Sequence, residues 1–165
     1  MDKKDFVGEY SWEEKYWHVY NCYCANWNST INFIFDNYGQ EALDRYFNES
    51  MNMKDIGKST FADVKPGCDV KEFLSYYIGH HVMLEGNVEI EHVDEDKVVI
   101  NVSPCGSKSR LVNTFGGDKV KHYCRHCELF QLWDQIGWHN EVDKTQAEKI
   151  DGENIGCKRT FTRIK

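Results

Sequence analysis

No stretch of this sequence approaches the run of about 18 apolar residues that a membrane-crossing helix requires. The opening Met1-Asp2-Lys3-Lys4-Asp5 leads into no signal-like apolar segment, so neither a span nor an export signal is expected, and the chain reads as cytoplasmic. Basic charge is also short. Lys and Arg number 20 against 27 Asp and Glu, a net charge of −7. A nucleic-acid binder gathers its basic residues into a patch that neutralises phosphates, whereas here they are scattered, and nonspecific nucleic-acid binding is disfavoured. There is no Walker A motif and no G-x-G-x-x-G, so no nucleotide loop is expected. Internal repeats, low-complexity tracts and clear linkers are missing too. At 165 residues the chain has length for one hydrophobic core, and residues 1–165 are expected to form a single domain.

What the sequence does carry is rings and thiols. Five Trp, nine Tyr and nine Phe suit a ring-lined core or pocket, compatible with an aromatic or apolar ligand, although ordinary packing explains any single ring. Seven cysteines are an odd number, and in a reducing compartment a disulfide framework explains them poorly. Buried thiols, metal ligands and a reactive thiolate remain.

Hydrophobic spacing gives the elements. Tyr16, Tyr20, Cys24, Trp27, Ile31 and Phe35 recur every three or four positions and predict a helix over 12–37, with Ser11 and Glu14 as a capping box. A second helix is expected over 40–47, past Asn37 and Gly39. The segment 48–68 has no regular pattern. Asp69 and Glu72 open a third helix through Val70, Phe73, Leu74, Tyr77 and Ile78 to His81, or on to Leu84. The period then falls to two, which predicts a hairpin over 87–103 with an acidic turn at Asp94-Glu95-Asp96, and a further strand over 155–164. Residues 118–127 and 128–137 read as short helices or turns. The fold class expected is α+β, with N-terminal helices packed on a small antiparallel sheet.

Cys124-Arg125-His126-Cys127 is the most chemically suggestive stretch, because two thiols three positions apart on a turn can face one centre. Cys105 joins them as a candidate. It follows a predicted strand in Ser103-Pro104-Cys105-Gly106, where glycine allows close backbone approach and the N–H groups of Gly106 to Ser109 can meet a thiolate, a metal-bound sulfur or an anion. A metal site would use Cys105, Cys124 and Cys127, with a fourth ligand from His126, His122, or the remote His18, Cys22 and Cys24, of which His18 and Cys22 share a helix face. Zinc is the expected metal, since it accepts histidine readily; an iron–sulfur cluster is the alternative. A metal-free site would use Cys105 as nucleophile with His122 or His126 as base. Arg110 is a natural partner for a substrate carboxylate. Cys68 reads as structural, and Cys157 can face either the core or the site. His80 and His81 read as a helix C-terminal feature, with a ligand-pocket role as the alternative, while His139 is placed in a turn.

Tyr38-Gly39-Gln40-Glu41-Ala42-Leu43, the Cys124/Cys127 region and Gly156-Cys157-Lys158-Arg159-Thr160-Phe161 together resemble the L-2-amino-thiazoline-4-carboxylic acid hydrolase-like family of small bacterial α+β domains. The resemblance implies a hydrolase that opens a small sulfur-containing heterocycle bearing a carboxylate, with Arg110 holding the carboxylate. The expected partner is thus a small molecule, anionic or aromatic. A non-enzymatic ligand-binding or sensory domain with a structural metal is the alternative, and the oligomeric state is left open.

Overall fold

The computed structural model describes residues 10–51, 65–129, 132–145, 147 and 149–165, with the side chains of Met51 and His126 outside the described set. Much of the irregular stretch 48–68 therefore lies outside it. The chain has an α+β fold, with N-terminal helices and a small antiparallel sheet built on the expected hairpin and C-terminal strand.

Helix α1 spans Trp12–Tyr46. Its capping box forms as expected, with Ser11 Oγ accepting from the Glu14 N–H at 3.1 Å and Glu14 Oε2 accepting from the Ser11 N–H at 2.7 Å. The two helices anticipated over 12–47 run as one element broken at Gly39, whose φ of 80° and ψ of −176° are not helical. A π-turn, Phe47–Met51, follows. The apolar stripe starts later than its spacing suggests: Tyr16 is exposed, whereas Cys24 and Ile31 are buried.

Helix α2, Val70–Met83, starts at Asp69, whose side chain accepts from the Glu72 N–H at 2.8 Å. The hairpin is β1, Val88–Val93, with β2, Lys97–Val102, closed by Asp94 Oδ1 accepting from the N–H groups of Asp96 and Lys97. Two elements depart from expectation. Cys105 is the N-cap of a ten-residue helix, α3 (Gly106–Phe115), where the sequence suggested only a turn. Trp138, His139 and Asn140 open a strand, β3 (Trp138–Asp143), not a turn. Between these lie a 3-10 turn at Gly117–Lys119, the short helix α4 (Arg125–Leu129) and a 3-10 turn at Leu132–Ile136. The two-residue strands β4 (Lys149–Ile150) and β5 (Glu153–Asn154) pair with each other, and β6 (Cys157–Arg163) completes the main sheet in the order β1-β2-β6-β3.

Register decides what the sheet presents to the helices. Val98 pairs with Phe161, Ile100 with Arg159 and Val102 with Cys157, so Cys157, Arg159 and Phe161 share the face that buries Val98, Ile100 and Val102. Helix α2 covers that face with Phe73, Tyr77 and His81, spaced four apart. The Phe73 ring lies 4.8 Å from the rings of both Trp138 and Phe161. A second buried cluster gathers Ile31, Leu43 and Phe47 of the N-terminal region against Leu111, Val112 and Tyr123. No described helix is long and apolar enough to cross a membrane.

Candidate functional site

Along α2 the buried stripe changes from Phe73 to Tyr77 to His81, and along β6 the core face changes from Phe161 to Arg159 to Cys157. Both turn polar in the same direction, and there they enclose a cavity of about 160 Å³. Its walls are Tyr76, Tyr77, His80, His81 and Leu84 from α2, Cys105 and Ser107 from the start of α3, Tyr123, Cys124 and Cys127 around α4, and Trp133 and Arg159.

Close backbone contact brings α2 and α3 together. A Cβ on Gly106 would lie 1.6 Å from the Leu84 carbonyl oxygen, and one on Gly86 would lie 3.1 Å from Gly106 N. Only glycine at 106 permits this approach, which sets Cys105 beside the end of α2. The Cys105 N–H donates to the Ile155 carbonyl at 2.6 Å, tying the backbone there to the segment that enters β6. Arg125, inside the Cys-x-x-Cys turn, fixes that turn to α1: its Nε donates to Asp44 Oδ1 at 2.7 Å, a second nitrogen reaches Asp44 Oδ2, and Nη1 donates to Glu128 at 2.8 Å. On the outer side Tyr20 Oη and Ser107 Oγ share a 2.5 Å hydrogen bond that links α1 to the first turn of α3.

Arg159 is the unexpected member. It is 6% exposed on the central β6, and its Nε is buried with no hydrogen-bond partner among the described residues. The acidic groups facing it are the Tyr77 phenol and the thiols of Cys127 and Cys157, and among the described residues no carboxylate pairs with it. Tyr77, 2% exposed, likewise has a buried Oη without a hydrogen-bond partner among the described residues. The buried lysine nearby, Lys108, is in contrast neutralised by Glu153 at 2.9 Å.

The protonation states follow from burial. Burial pushes the Cys105 thiol up to about 11, against the lowering effects of the Lys108 N–H in the first turn of α3 and of Arg159. Burial also raises Cys124 and Cys157, the first further raised by Cys127. His81 is pushed down to about 3 by burial, then by Arg159 and His80, so its imidazole is neutral. His80 is lowered for the same first reason. Around neutral pH the cavity therefore sets the Arg159 guanidinium among the neutral thiols of Cys105 and Cys124, the phenols of Tyr77 and Tyr123 and the neutral imidazole of His81.

Of the residues singled out by sequence, Cys105, Cys124 and Cys127 come together on this cavity. His122 and Arg110 are not among its described lining residues. His122 is stacked on Phe35 at 3.5 Å between ring centroids, and Arg110 lies 3.8 Å above the Trp17 ring while pairing with Glu85. His18 and Cys22 do meet, 3.9 Å apart on an exposed part of α1, where His18 borders an open groove with Tyr10, Glu14 and Lys15. The His126 side chain lies outside the described residues. Among the described residues no group of three or more His, Cys, Asp or Glu side chains is placed to hold a metal ion. Sequence reasoning did not single out Arg159 or Tyr77 for this cavity, and read His80 and His81 first as a helix-end feature with a ligand-pocket role as the alternative. One signal was present: Arg159 sits between Cys157 and Phe161 in an alternating strand, a charged residue at a core-facing position. No protein-family model matches the chain, and no curated protein matches it.

Proposed function

We propose that the protein binds a small, planar carboxylate in the Arg159 cavity. The observation that carries this reading is the buried guanidinium without a carboxylate partner among the described residues. An uncompensated buried charge costs several kcal/mol, and a bound anion removes most of that cost. Cavity size supports a ligand of about one ring, since a void near 150 Å³ accommodates benzene. Tyr76, Tyr77, Tyr123 and Trp133 supply ring faces for a flat molecule, and the Tyr77 hydroxyl offers a second polar contact beside Arg159. The resemblance to the amino-thiazoline carboxylic acid hydrolase-like family points to the same ligand class, a heterocyclic carboxylate, with Arg159 in the role that the sequence suggested for Arg110.

The test is calorimetric titration with monocyclic carboxylates such as benzoate and five-membered heterocyclic carboxylates, alongside their neutral amides. Binding of acids but not amides, lost in Arg159→Met, is expected. Equal binding of acid and amide sinks the reading.

A zinc-bound form is the second reading: Cys105, Cys124 and Cys127 line one cavity, and although they are not placed as a ligand set in this structure, zinc would have to draw them together. Three thiolates beside Arg159 would supply a soft ligand set, and such a metal would hold α3 to the Cys-x-x-Cys turn. Elemental analysis of freshly prepared protein decides it: stoichiometric zinc, lost in Cys124→Ser, supports this form, and its absence removes it.

A further inference from the structure

We propose that Cys105 is the nucleophile of this site, attacking an electrophilic carbon of the carboxylate-bearing molecule that Arg159 holds. This rests on the carboxylate reading above. Three thiols line the cavity, and Cys105 differs from the other two in its backbone setting. It is the N-cap of α3, and the main-chain N–H groups of a ten-residue helix converge on its side of the cavity. Cys124 precedes a helix of only five residues, and Cys127 lies inside that helix. The Cys105 backbone is also held from both sides, by its N–H to the Ile155 carbonyl and by the Gly106 contact with Leu84, and its side chain lines the cavity. Arg159, whose buried Nε has no hydrogen-bond partner among the described residues, and the Tyr77 Oη, buried in the same way, line the same cavity and mark where the anionic end of a ligand would lie.

The carboxylate takes up the charge of Arg159, so the sulfur depends on the α3 N–H groups and on losing its proton as it attacks. That proton leaves the sulfur as the attack proceeds and passes to the leaving atom. The Sγ–C bond forms as the bond from that carbon to its leaving atom breaks. The leaving atom departs with the electron pair and receives the thiol proton. Water then replaces sulfur on the carbon, giving its second proton back to the thiol, so the net reaction is hydrolysis.

The experiment alkylates the reduced, full-length protein with iodoacetate or iodoacetamide and follows each cysteine by peptide mass. In this reaction carbon–iodide cleavage replaces departure of the natural leaving group. The exposed Cys22 serves as the reference thiol in the same molecule. The iodoacetate-to-iodoacetamide rate ratio at Cys105 is expected to exceed that at Cys22 by about tenfold, equivalent to about 1.4 kcal/mol from one charge-assisted contact. The excess should vanish in Arg159→Met and persist in part in Arg159→Lys. In the unmutated protein, benzoate should protect Cys105 from iodoacetamide and leave Cys22 unprotected, which tests the idea even if Arg159→Met fails to fold. A ratio at Cys105 no higher than at Cys22, an excess that survives Arg159→Met, or preferential capture at Cys124 or Cys127 overturns the assignment. If benzoate still binds through Arg159 in that case, the carboxylate reading stands and only the nucleophile falls. If benzoate does not bind, both fall.

Discussion

Arg159 sits on the core face of a central strand, opposite Ile100 on one side and Val142 on the other, where an aliphatic residue would pack without an electrostatic cost. Such a position predicts a trade between stability and binding. Replacing buried charge with an apolar side chain of similar length often stabilises by about 1–4 kcal/mol. Arg159→Met is therefore expected to raise the chemical-denaturation midpoint of the ligand-free protein while abolishing carboxylate binding. A drop in the midpoint would mark the guanidinium as structural. His81 makes a second prediction at this scale. Its folded pKa, about 3, lies below the ordinary 6.5, so the unfolded chain binds the extra proton first. Stability is then intact above about pH 6.5 and falls as pH drops through the window toward 3, with a slope of up to about 1.4 kcal/mol per pH unit. The slope is read best between pH 5 and 6.5, above the range of most carboxylates. His81→Gln should flatten it, leaving the smaller contribution of His80, which is lowered in the same sense.

Two helix ends make the site, and their contact is unforgiving. With a Cβ at 106 placed 1.6 Å from a backbone carbonyl, Gly106→Ala forces α2 and α3 apart. Overpacking against side chains typically costs about 1–3 kcal/mol, and the obstacle here is backbone, so a loss at or above the top of that range is expected. Denaturation measures the loss, and weaker benzoate protection of Cys105 would report the displaced helix. The elements themselves were unequally legible. α1, α2, β1, β2 and β6 carry strong periods of 3.6 or 2 and emerged from spacing, including the break at Gly39. α3 did not, because Ser103 to Arg110 contains no apolar repeat; its buried side is Gly106, Lys108, Leu111 and Val112, a stripe with a charge in it. β3 was read as a turn because, within Trp138–Asp143, only Trp138 is fully buried and the rest alternates weakly. The thiols of the site were legible through Cys-x-x-Cys spacing and the Pro104-Cys105-Gly106 setting. Arg159 and Tyr77 were not, since sequence gives the period of a strand and a helix but not which turn of one faces which residue of the other.

At the scale of the molecule, the cavity lies where the two buried clusters meet. Tyr77 and Trp133 belong to the cluster under α2, and Tyr123 belongs to the cluster packed against α1. The thiols divide in the same way, with Cys105 packed against the first cluster and Cys124 against the second. A ligand that fills the cavity touches both halves and replaces the missing counter-charge of Arg159, so it should stabilise the whole fold rather than one helix. Binding to the folded state alone contributes about 2.7 kcal/mol at a ligand concentration one hundred times Kd. Benzoate, or a tighter heterocyclic carboxylate, is therefore expected to raise the thermal midpoint in proportion to the logarithm of its concentration. Amide hydrogen exchange should slow at the end of α2, the start of α3 and α4 together. Protection confined to one of these segments, or a thermal shift matched by the neutral amide, would place the ligand elsewhere. Zinc held by the three thiols would also join the halves, but its stabilisation would disappear with chelator and be indifferent to Arg159→Met. Running the melts with and without chelator, on both proteins, separates a fold joined by an anion from one joined by a metal.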